Sequence, residues 1–228
     1  SADEAELFSE LDTALNRSGL PVHLGLATDA RYTLTETLIL HGDFISASEV
    51  WLDGGGSSTM QLSPASRQRR LQSTSRSIIR IISGSSSTLK VNLVGLRFLG
   101  GGDDAPAIET VGNVTLNIVD CVFLDSKFGA LRVDGGWVLV QRSNFTRNVG
   151  TDGGAIAITA GSLSVVDSIL TVNSAYLDGG AVHMSGADTQ LVIQGSAIER
   201  NTAGRFGGAL YLTGGGEATL SNRTWLRD

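Results

Sequence analysis

The chain has 228 residues, 29 of them glycine and 3 proline, with 41% hydrophobic residues, 18% charged ones and a single cysteine. That composition suits many short strands joined by tight turns, and it excludes a disulfide framework, a disordered chain and a helical bundle. The net charge of -6 hides a division: residues 54–102 hold seven bases and no acid, so the remainder carries -13. No apolar run approaches the 18 residues of a membrane span, and the opening residues do not read as a signal segment.

Residues 3–17 read as a helix, with Asp3, Glu4 and Glu6 at its start, Leu7, Phe8, Leu11 and Leu15 on one face, and Gly19 as its stop. Thr33–Leu40 and Val50–Asp53 read as strands, and Gly54–Gly56 as a turn. Residues 57–90 are irregular: a basic excursion (Arg67, Arg69, Arg70, Arg76) surrounds one strand-like run, Ile78–Ile82. This basic segment reads as a solvated loop, without the interleaved aromatics a nucleic-acid platform needs.

From Val91 the sequence aligns with itself. Paired inward positions recur at Val91 and Leu93, Leu116 and Ile118, Val138 and Val140, Leu163 and Val165, Leu191 and Ile193, Ala218 and Leu220, giving rungs of 25, 22, 25, 28 and 27 residues. Three residues past the second inward position come Leu96, Cys121, Ser143, Ser168, Ser196 and Arg223, and two further on an apolar column of Phe98, Phe123, Phe145, Leu170, Ile198 and Trp225. Three more residues reach Gly101, Ser126, Asn148, Asn173, Asn201 and Asp228, where asparagine suits a tight left-handed turn and an axial hydrogen-bonded ladder. A Gly-Gly-Ala corner follows at Gly153-Gly154, Gly179-Gly180 and Gly207-Gly208, spaced by 26 and 28 residues. A third strand then points Leu131, Ile156, Val182 and Leu210 inward and Glu109, Arg132, Ala157, His183 and Tyr211 outward. Three short strands per repeat, without helices between them, predict an all-β fold: a right-handed parallel β-helix. It would be one domain over 21–228, with a capping helix within 1–20.

The Gly-Gly-Ala-[Ile/Val/Leu] motif at 153–156, 179–182 and 207–210, with Phe145-Thr-Arg-Asn148, resembles the repeats of the polymorphic outer membrane protein family, over about residues 114–228. Leu170-Thr-Val-Asn173 and Ile198-Glu-Arg-Asn201 keep the asparagine and replace the aromatic, and the amino-terminal half is closer to a pectin-lyase-like start. The resemblance implies an extracellular or cell-surface adhesin or structural module, not an enzyme, and a fragment of a longer protein. Its partners would be glycans, cell-surface proteins or neighbouring subunits, without nucleic acid.

The candidate chemistry is sparse. Asp152 and Asp178 each precede a Gly-Gly-Ala, so they should stack on adjacent rungs, where they could share one Ca²⁺ as a thin ligand set or serve simply as turn aspartates. No other cofactor is expected. Four Asn-x-Ser/Thr sequons occur, at Asn16, Asn113, Asn144 and Asn222, and Asn144 should point outward. A polysaccharide lyase or glycoside hydrolase on the same scaffold is the alternative reading; it would need clustered carboxylates, which the outward column does not supply.

Overall fold

The computed structural model describes residues 7, 9, 11, 21–27, 30–34, 37–41, 49–62, 77–84, 88–101 and 104–227. They form a parallel β-solenoid in which every assigned strand pairing is parallel. Its inward column on the first face runs Val22, Val50, Val91, Leu116, Val138, Leu163, Leu191, Ala218, each residue the ladder partner of the next. On this face the predicted alignment holds from Val91 onward and extends two rungs earlier. There Val22–Gly25, Arg31–Leu34 and Leu38–His41 make a complete rung where the sequence suggested one strand over Thr33–Leu40. The Gly54–Gly56 turn is a bulged corner within the strand Glu49–Leu62, where the register slips between Asp53 and Ser58.

Of the predicted amino-terminal helix, Leu7, Ser9 and Leu11 are described and helical, with Leu7 and Leu11 buried in the core; its other residues lie outside the described set. Arg67, Arg69, Arg70 and Arg76 also lie outside it.

Packing follows from the stacking of like on like. Phe98, Phe123 and Phe145 are fully buried, with ring centroids 4.8 and 4.4 Å apart and planes inclined by 12° and 8°. Those separations match the strand spacing of about 4.8 Å, so the rings stack because their backbones do. The column continues through Leu170 and Ile198 to Leu226, and Trp225 pairs instead with outward Ala197. The predicted place of Trp225 is thus one residue short. The last corner uses two left-handed residues, Asn222 and Arg223, where the rung before uses Gly195 alone.

Two side-chain ladders tie the corners. Asn173 Oδ1 accepts both the backbone N–H and the Nδ2–H of Asn148, each at 3.0 Å, while Asn173 Nδ2 donates to the Phe145 carbonyl at 3.0 Å. Asn201 repeats the arrangement for Asn173, and Asn148 Oδ1 accepts the Ser126 N–H. The expected ladder is therefore present, but the left-handed residue is the one before each asparagine, at Arg147, Val172 and Arg200, and before Ser126, at Asp125. At the other corner the Oγ atoms of Ser143, Ser168 and Ser196 accept the N–H of Cys121, Ser143 and Ser168 at 3.0–3.1 Å. Asp120 with Arg142, and Asp125 with Arg147, then clamp one pair of rungs at both corners by bidentate bonds of 2.8–2.9 Å. The Arg142 guanidinium holds the Asp120 carboxyl below its usual range.

Asn173→Ala should lower stability by roughly 2–4 kcal/mol in urea unfolding, since two buried donors of Asn148 lose their acceptor together. A loss below about 0.5 kcal/mol would refute the ladder's role. Cys121 gives a second check, because burial pushes its thiol up to about 12. It should resist alkylation in the folded chain and react fully after unfolding. A thiol held protonated contributes its stability below the pKa of the unfolded chain, so that contribution should decline as pH rises from about 9 toward about 12.

Candidate functional site: a groove over the third face

The outward column of the third face runs Ile39, Arg80, Glu109, Arg132, Ala157, His183, Tyr211 in strict register. Arg80 pairs with Glu109 at 3.0 Å, and the rings of His183 and Tyr211 stack at 5.7 Å. Between them sits Ala157, a methyl group flanked along the axis by Arg132 and His183.

The connections from the second to the third face rise beside this column as a wall. A short parallel sheet of Val149–Gly150, Ser174–Ala175 and Thr202–Ala203 forms its base. Its tips carry exposed aromatics: Phe128 at 43%, Tyr176 at 70% and Phe206 at 59%. Phe206 lies 5.9 Å from the Tyr211 ring and so links wall to sheet.

The wall dips at one place. Six residues join Leu124 to Leu131, against nine joining Thr146 to Ile156 and ten joining Thr171 to Val182. This accounts for the 22-residue rung. Where the short connection meets the small Ala157, a groove of about 310 Å³ opens, lined by Asp104, Phe128, Arg132, Asp152, Thr159 and His183 among others. Sequence reading placed Arg132, Ala157 and His183 on one outward line but did not bring Asp104 and Phe128 to them. The shortened rung was the signal that could have found them.

The motif glycines hold this wall up. Gly153, Gly179 and Gly207 adopt φ of 66°, 68° and 63°. A Cβ on Gly154 or Gly180 would strike the carbonyl of the next motif, so the two glycines of each pair serve different needs, a left-handed turn and a close approach.

Asp152 and Asp178 stack on adjacent rungs as expected. Asp152 Oδ1 accepts the Asp178 N–H at 3.2 Å, and Asp178 accepts the Phe206 N–H at 3.2 Å together with a bidentate pair from Arg205 at 3.2 and 2.6 Å. The donor chemistry fits another hydrogen-bonded ladder: both Asp178 oxygens are already engaged by an internal cation. Among the described residues no three of His, Cys, Asp and Glu come together as a metal set.

The sequon residues described are Asn113, exposed and donating to Thr88 Oγ1 at 2.8 Å; Asn144, half-buried on a second-face strand and accepting the Thr146 hydroxyl; and Asn222, exposed in the last corner. Asn16 lies outside the described residues. Of the bases in residues 54–102, Arg80 is paired as above, and Lys90 meets Glu49 at 2.9 Å. Burial pushes the Glu49 carboxyl up, yet hydrogen bonds from Lys90 and Asn92 outweigh it and hold the group below its usual range.

Arg205→Ala should destabilise the fold by about 1–3 kcal/mol, because it leaves a buried carboxylate without its cation. Asp178→Asn in the same chain should recover most of that loss, as measured by urea unfolding. A double variant that loses the sum of the two single losses would show that the pair contributes nothing of its own.

Compared with known proteins, the chain matches no family model, no curated protein and no solved structure, so the repeat motif remains a likeness and the fold rests on the ladders themselves.

Proposed function

We propose that the protein is a non-catalytic extracellular or cell-surface β-solenoid, an adhesin or structural interaction module that binds along its third face. The observation carrying this reading is the set of loop tips on the connections to the third face, where Phe128, at the groove, and Tyr176 and Phe206, on later rungs, expose large aromatic surface. Aromatic side chains held out on a rigid scaffold are the usual anchors of recognition. The regular interior supports the same reading: its ladders fix each loop in place, while residues on the loops differ from rung to rung. The outward placement of Asn113 and Asn222 supports an extracellular setting.

A polysaccharide-cleaving activity is the second reading, favoured by the meeting of Asp104, Asp152, Arg132 and His183 in one groove.

One experiment separates them. The chain is applied to arrayed glycans and to intact cells, and in parallel incubated with polysaccharides while unsaturated and reducing ends are followed. Retention on glycans or cells with no new chain ends is expected. Steady release of new ends, abolished by Asp152→Asn, would replace the binding role by catalysis.

A further inference from the structure

We propose that the groove above Ala157 is a saccharide subsite which takes one uncharged hexose-type ring of a longer glycan. The proposal rests on the binding role above and specifies its ligand. Three features of the groove carry it.

The first is shape. The depression exists because a short connection and a small outward residue coincide, and its 310 Å³ lies at the small end of ligand-pocket volumes, about 300–1,000 Å³. The second is the rim. Phe128, 43% exposed, offers a ring to the apolar face of a pyranose and is free of the buried aromatic column. The third is the balance of polar groups. Arg132 supplies donors and has no ion-pair partner among the described residues, whereas Asp152 spends one oxygen on the Asp178 N–H and keeps the other as an acceptor. Ser185 adds a hydroxyl at the edge. Adjacent sugar hydroxyls both donate and accept, so they can use such a mixed set fully. A carboxylated sugar would bring a negative charge beside the Asp152 carboxylate, whose second oxygen is the acceptor offered to a sugar hydroxyl, and would bind less well.

The test titrates the whole chain with methyl glycosides of glucose, galactose, mannose and N-acetylglucosamine, and with glucuronate and galacturonate, using ligand-observed NMR. At least one uncharged glycoside should bind, about tenfold or more tighter than the uronates. Ala157→Phe should fill the groove and weaken binding on the order of tenfold or more. Phe128→Ala should weaken it less. Both positions face outward, so the urea midpoint of each variant should match the parent. Uronates binding as well as uncharged glycosides would overturn the charge argument, and full binding by Ala157→Phe would overturn the location. Absence of any glycoside binding overturns the saccharide proposal, while retention on cells would leave the adhesive role standing.

Discussion

The three rungs that begin at Val114, Trp137 and Ser162 each depend on the next at two tight corners, because the chain there leaves the parallel ladder and its buried N–H groups need another acceptor. Side chains of the following rung provide it. The Oδ1 of Asn148, Asn173 and Asn201 serves one corner, and the Oγ of Ser143, Ser168 and Ser196 serves the other. An unsatisfied buried donor costs about 1–3 kcal/mol, so a missing side chain is felt in two rungs at once. This constraint fixes which residues can recur, and the recurrence fixes the axial register of everything between the corners.

Register in turn decides what the exterior can be. Each rung contributes one outward residue to a given line, so neighbouring positions such as Arg132, Ala157 and His183 are set one strand spacing apart whatever their chemistry. Corner residues carry the same regularity. Asp120 and Arg142 are both left-handed, as are Asp125 and Arg147, and their shared geometry aims each carboxylate at the guanidinium one rung on. Those partners are half exposed, so water screens their attraction and their main effect is to hold two corners in step.

The core was legible because period-two alternation and a repeat of 22–28 residues act on every rung from Val91 onward, and the inward columns from Val91 to Leu220 align on the sequence alone. Legibility failed where one rung departed from its neighbours. The first rung, Val22–His41, carries neither the asparagine nor the Gly-Gly pair, so its sequence marks only the single strand-like stretch Thr33–Leu40. The last slipped by one residue because Asn222 and Arg223 together replace a single glycine. The serine column was visible as a spacing, but its role as an acceptor depends on side-chain direction, which spacing does not give. The groove was hidden for a related reason: Asp104 and Phe128 lie on connections whose path depends on their lengths, not on a residue pattern.

A groove made by subtraction has a consequence for how such a protein varies. Its floor and wall need no special residues; they need three fewer residues in one connection and a methyl group where neighbouring rungs carry Arg132 and His183. Neither change touches the asparagine or serine ladders, which see only the corners. Binding surface and stability are therefore specified by different residues of the same rung. The loops after Thr146, Thr171 and Glu199 can change composition, as Asp152, Asp178 and Phe206 do at one stacked position, while the backbone bonds beneath them persist. Strict repetition inside thus permits irregularity outside, and that irregularity is where recognition is expected to reside.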